Sequence, residues 1–118
     1  IIIAMYDKNK GFKYEKIAKK YLLDNNYKIL EENFISKFGE IDIIAAKDGK
    51  LHFIEVKGRK NITHGYPREA VNFSKQKKLR SAAKYYFMLK GKDDYFCQFD
   101  IIEIILEDRE LNHIENAF

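Results

Sequence analysis

At 118 residues, 46% hydrophobic and 34% charged, the chain has room for one compact core and not for two, and its composition is that of a globular domain. The formal charge is only +4, but from Lys57 to Lys92 eleven lysines and arginines face a single acid, Glu69, a local +10 that suits a polyanionic partner and leaves −6 elsewhere. The single cysteine, Cys97, excludes an intrachain disulfide and a cysteine-rich zinc site, and fits a reducing cytoplasm.

Ile1 to Tyr6 is apolar but too short for a membrane span or a signal-peptide core, and Lys8 and Lys10 lie on the wrong side of it, so no membrane partner is expected. Met5 is a candidate natural start. Residues 1–10 therefore read as an N-terminal extension, in part extraneous, and 11–118 as a single domain with no linker or repeat to divide it. Residues 11–25 carry the stripe Tyr14, Ile17, Ala18, Tyr21, Leu22, whose spacing predicts an amphipathic helix stopped by Asn25-Asn26. Residues 27–36 read as a strand with an exposed or bulged centre at Glu31-Glu32-Asn33.

Gly39 to Ala46 and Leu51 to Lys57 read as two strands joined by Lys47-Asp48-Gly49-Lys50, where the Asp-Gly pair favours a two-residue hairpin turn. A polar loop follows from 58 to 66. Pro67 suits the first turn of a long helix reaching about 89, with Leu79, Ala82, Ala83, Tyr86 and Phe87 inward and Gly91 at the exit. Residues 95–106 form the last strong strand, apolar without a clean period. The order α-β-β-β-α-β predicts an α/β fold, a mixed sheet flanked by helices with a helical crossover into its last strand.

If Asp48 and Gly49 form the loop, Lys47 faces Lys50, and the register carries outward to set Asp42 against Glu55 and Glu40 against Lys57. Ile41, Ile43, Ile54 and Val56 then cover the other face. Two carboxylates about 5 Å apart repel by about 3 kcal/mol at an effective dielectric near 20. A divalent cation turns that penalty into affinity, and Mg²⁺ is commonly held by one or two carboxylates with water and phosphate oxygens as its other ligands. A plain Glu40–Lys57 ion pair beside a wet sheet edge is the structural alternative.

An acidic pair, a lysine two residues beyond one of the acids, a basic helix, and Glu15 on the first helix are the residue types that phosphodiester hydrolysis calls for. Lys57 can orient or deprotonate the attacking water, or stay charged and stabilise the transition state. The Asp42, Glu55-x-Lys57 pattern resembles the motif of the PD-(D/E)XK nuclease superfamily.

The resemblance extends over nearly the whole chain from Gly11. Glu15 with Ala18 and Tyr21-Leu22, the blocks Gly39-Glu40-Ile41-Asp42 and Phe53-Ile54-Glu55-Val56-Lys57 with Arg59, Glu69-Ala70-Val71 with Lys75 and Leu79, Phe99-Asp100, and Asn116-Ala117-Phe118 look like the YraN family. These are uncharacterised bacterial proteins, expected to be endonucleases and related to archaeal Holliday junction resolvases. The resemblance implies a restriction-endonuclease-like core, Mg²⁺ or Mn²⁺ held by Asp42 and Glu55, Lys57 as catalytic lysine and Glu15 as an accessory acid. It also implies DNA as partner, branched or structured DNA as substrate, and a homodimer. The family usually has Gly where Tyr14 stands, so Glu15 keeps a second reading as the i, i+4 helical partner of Lys19.

Arg59, Lys60, Lys77, Arg80 and Lys84 are the candidate phosphate contacts, the last three at i, i+3, i+7 on one helical face that is otherwise merely solvated. Gln76 and Glu40 are candidate accessory residues. His52, on the face opposite Glu55, reads as a packed or surface histidine, His64 as a loop histidine, and Asp100 as structural. The functional expectation is a metal-dependent DNA endonuclease. Its alternatives are a non-catalytic nucleic-acid-binding module of the same fold and, more blandly, a protein–protein adaptor.

Overall fold

The computed structural model describes residues 13–91 and 96–118; the expectations for residues 1–10, for the start of the first helix at Gly11 and for Tyr95 lie outside them. Helix α1 (Lys13–Asp24) buries Ile17, Ala18 and Leu22 and ends as expected at the asparagines. Asn26 takes a left-handed φ of 68°, which lets the Tyr27 N–H close back on the Leu22 carbonyl at 2.9 Å. The chain then runs through β1 (Lys28–Ser36), β2 (Gly39–Lys47) and β3 (Lys50–Arg59). Asp48 and Gly49, with φ of 51° and 76°, make the two-residue turn, and Lys47 pairs with Lys50 as the spacing predicts.

Beyond the loop, Pro67–Ala70 forms a separate 3-10 turn, and the second helix, α2 (Phe73–Leu89), starts six residues later than Pro67. The Asn72 side chain caps α2 by accepting the Lys75 N–H at 2.9 Å. Strand β4 (Cys97–Ile105) lies parallel to β3, and a fifth strand, β5 (Glu110–Ile114), pairs antiparallel with β4. The expected order is therefore corrected by one strand. Glu-Leu-Asn-His-Ile has only two apolar residues, three apart, so it carries no alternation. Its polar residues matter in the folded state: Asn112 donates to Glu103 at 2.8 Å and His113 bonds Asp100.

The sheet has the order β1-β2-β3-β4-β5, antiparallel throughout except for the β3–β4 pair. Helix α1 closes one face over Ile43, Ala45, Ile54, Val56, Ile102 and Ile104. Helix α2 closes the other over Ile41, Ile44, Phe53 and Ile101. A strand covered on both faces has no solvent side to show, which is why the apolar residues of β4 follow no clean period, and its Gln98, Asp100 and Glu103 are buried with hydrogen-bond partners. Among the described residues, no helix is long and apolar enough to cross a membrane.

One detail of β2 departs from simple alternation. Ile41 packs with Ile44 and Phe53 on the α2 side, whereas Ile43 belongs to the α1 side, so Ile41 does not share a face with Ile43, Ile54 and Val56 as the register predicts. The pleat is broken at Asp42.

Candidate active site

The candidate site lies where β2 and β3 stop pairing. Their ladder closes at Ile43–Ile54, and Asp42 does not form a further rung with Glu55. Its carboxylate instead accepts the Val56 N–H at 2.8 Å. The broken pleat at Asp42 thus turns a side chain into the acceptor that a strand carbonyl would otherwise supply. The two acids still meet, closely enough to hydrogen-bond when one is protonated. Glu40 does not meet Lys57: it lies beside Ile35 of β1, and the alternative Glu40–Lys57 ion pair does not form.

Glu55 is 3% exposed. Its Oε2 faces Lys75 Nζ at 3.3 Å and Lys57 Nζ at 3.7 Å, and its Oε1 is buried with no hydrogen-bond partner. Burial first, and the Asp42 charge second, push the Glu55 carboxyl up to about 7, against the pull of Lys75 and Lys57. Burial also raises Asp42, opposed mainly by the bond from Val56 N–H. An orphaned carboxylate oxygen beside a second, half-buried acid is a costly arrangement for a protein alone. It suits a hard divalent cation, whose preferred ligands are oxygens.

Glu15 stands at the edge of the same site. Burial, then the charges of Asp42 and Glu40, raise its carboxyl, and the Asn33 amide opposes them; with that amide turned so that its nitrogen faces the acids, it donates to Glu15 Oε1 at 2.9 Å and to Glu40 Oε1 at 3.2 Å. Lys19, the other partner the spacing allows, bonds Glu32 at 2.7 Å instead. Tyr14 explains how α1 is seated here. Its ring lies so close to Gly58 that a Cβ there would come within 2.1 Å of Tyr14 Cδ1. The aromatic ring that replaces the expected glycine therefore docks the first turn of α1 on β3, one residue beyond Lys57.

Lys75 is the residue the sequence reading missed as part of the site. It sits four residues before Leu79 and seven before Ala82, on the helix stripe whose later members are buried. A lysine opening an apolar stripe was the available signal. Gln76 donates to the Val71 carbonyl at 3.0 Å and secures the helix entry, with no bond to the acids.

The expected phosphate contacts divide. Arg59 donates to the carbonyls of His64 at 2.8 Å and Gly65 at 3.3 Å, pinning the loop after β3. Arg80 lies over the rings of Phe99 and Phe118, 5.1 and 5.4 Å from their centroids. Lys60, Lys77 and Lys84 are exposed, Lys77 over the Phe73 ring and Lys84 beside Phe38, Tyr85 and Met88. His52 is buried on the α1 side, bonded to Asp100, as the packed reading has it.

Comparison with known proteins agrees with the blocks that surround this site. Residues 14–104 match the family described as Uncharacterised protein family UPF0102, a span that takes in Glu15, Asp42, Glu55, Lys57 and Lys75. A UPF0102 protein of Clostridioides difficile is 46% identical over 114 residues, covering 97% of this chain and all of the relative. One from Thermodesulfovibrio yellowstonii is 47% identical over 108 residues, covering 92% of this chain and 94% of the relative. One from Clostridium perfringens is 44% identical over 117 residues and 96% of each chain. With similarity running through both helices and the first four strands, the chain belongs to the UPF0102 family, the YraN-like family its sequence blocks resemble.

Proposed function

We propose that this protein is a metal-dependent endonuclease that hydrolyses DNA phosphodiester bonds, on a restriction-endonuclease-like core. The observation that carries the reading is Glu55: a carboxylate 3% exposed, with one oxygen unpartnered, set against Asp42 and between two lysines. Asp42 and Glu55 are the residues that would hold Mg²⁺ or Mn²⁺. When bound, the ion would supply charge neutralisation at the scissile phosphate and a more acidic water.

The chain's own groups do the rest. Lys75 holds Glu55 from α2, and Lys57, projecting from β3 with a third of its side chain exposed, is available to the phosphate or to the attacking water. Its ammonium stabilises negative charge that builds on the phosphoryl oxygens. With its amide turned toward them, Asn33 ties Glu15 and Glu40 together at the rim, where Glu15 would be placed to orient a water near Asp42 and Glu55. Lys60, Lys77 and Lys84 supply backbone attraction, with Arg59 and Arg80 shaping the surface around them. The sequence resemblance to a family related to junction resolvases supports branched DNA as substrate and a dimer with two sites.

The test is incubation of purified protein with labelled duplex, single-stranded and four-way DNA in Mg²⁺ or Mn²⁺. Cleavage that disappears on chelation and in both Asp42→Ala and Glu55→Gln is the expected result. Salt-sensitive binding with no cleavage of any substrate would replace this reading with the non-catalytic binding module.

A further inference from the structure

A second cluster lies on the α1 side of the sheet, at the end of β3 and β4 away from Glu55. Asp100 is fully buried, and its carboxylate accepts from His52 Nδ1 at 2.7 Å, His113 Nε2 at 2.8 Å, Gln98 Nε2 at 2.9 Å and the Asn116 N–H at 3.0 Å. These bonds outweigh the burial that opposes them and hold its carboxyl below the ordinary range. An ionised carboxylate only accepts, so both histidines donate to it. The other nitrogen of His113 takes the Tyr21 hydroxyl at 2.9 Å, which completes that ring.

His52 is different. With Nδ1 donating to Asp100, a neutral imidazole keeps its lone pair on Nε2, and among the described residues no group hydrogen-bonds that atom. His52 is only 4% exposed. His52 lines a cavity of about 380 Å³ with Tyr27, Lys47, Asp48, Lys50, Phe96 and Glu115. The Tyr27 ring stands edge-on to the imidazole at 5.0 Å and fixes its plane.

Three residues around this opening, His52, Asp100 and Glu115, bring a ring nitrogen and two carboxylate oxygens within 4.8 Å of one another. Asp100 already has both oxygens engaged, so its part is to orient His52. That is the carboxylate–histidine arrangement that stands behind metal-bound imidazoles. The two lysines do not make the cavity an anion site. Lys50 donates to Gln98 Oε1 at 2.9 Å and covers Phe96, Lys47 covers Tyr27, and Asp48 and Glu115 balance their charge.

We propose that His52 and Glu115, with Asp100 as the orienting carboxylate, form a binding site for a borderline divalent cation of the Zn²⁺ and Co²⁺ class. Imidazole with carboxylate favours such ions, whereas the all-oxygen pair Asp42 and Glu55 favours Mg²⁺ or Mn²⁺. The bound ion would tie the segment after β5 to the start of β3. The site does not depend on the nuclease reading.

The test is titration of Co²⁺ into the Asp42→Ala, Glu55→Gln double variant, followed by visible absorbance and calorimetry, so that the candidate active site is silent. A single equivalent should bind, and one equivalent of diamagnetic Zn²⁺ should shift the His52 ring nitrogens more than those of His113 in NMR spectra. Glu115→Gln, a change at an exposed residue, should weaken binding by about tenfold or more, and His52→Gln should abolish it. Absence of Co²⁺ binding to the double variant overturns the proposal. So does binding that Glu115→Gln leaves unchanged, whether or not His52→Gln folds.

Discussion

Asp42 is joined to Val56 through a single bond, carboxylate to backbone N–H at 2.8 Å, at the point where the β2–β3 ladder has ended. The residue therefore has two separable duties, to close the fork between the strands and to present charge beside Glu55. Asp42→Asn keeps an oxygen that can accept from Val56 and loses the charge. It should fold with little loss of stability while abolishing metal-dependent cleavage. Asp42→Ala should lose activity too, and in addition about 1–2 kcal/mol of stability, because Val56 N–H is left unpaired. Equal unfolding midpoints for the two variants would show that the cap contributes nothing.

Glu55 gives a pH signature. Its carboxyl is raised in the folded protein, so its contribution to stability is fully present below the ordinary carboxylate range and is lost as pH rises through the folded-state value near neutrality. Without divalent cations, Glu55→Gln should match the parent protein near pH 5 and exceed it near pH 8 by on the order of 1–3 kcal/mol. Urea unfolding across that range measures it. Under the proposed function, Mg²⁺ or Mn²⁺ narrows the gap by stabilising only the parent. Parallel curves for the two proteins would contradict the burial argument.

Tyr14 and Gly58 are a matched pair. A methyl group at 58 would have to occupy the space of the Tyr14 ring, so Gly58→Ala should cost about 1–3 kcal/mol by overpacking. The cost should fall on the seat of α1 and, through Glu15, on activity. Tyr14→Gly in the same chain should return most of the lost stability. A double-mutant cycle gives the coupling, and a coupling near zero would rule out the contact.

Lys75 separates positioning from chemistry. Lys75→Met removes one of two ammonium groups from Glu55, so the Glu55 carboxyl should titrate higher still, and the acid limb of the cleavage profile should move to higher pH. Lys57→Met removes the more distant ammonium, so it should move that limb less and in addition lower the rate by about 100-fold across the whole profile, as expected for loss of a group that stabilises the transition state. Identical profiles for the two variants would assign both lysines one role.

What could be read from the chain was whatever rests on local geometry. The 3.6 period of Tyr14 to Leu22 specified α1, and Asp48-Gly49, free to adopt positive φ, specified the hairpin and its register from Lys47–Lys50 to Ile43–Ile54. Because side chains on a strand alternate, that register sufficed to bring Asp42 and Glu55 together as a candidate pair. Contacts between residues distant in sequence were decided by the tertiary fold alone. The break in the pleat at Asp42, the swing of Lys75 from α2 onto Glu55 and the pairing of β5 with β4 each depend on burying or satisfying polar groups that become neighbours only when the layers close. Local pattern sets which face a residue takes; the packing of α1 and α2 on the two faces of the sheet decides which charges must then find one another.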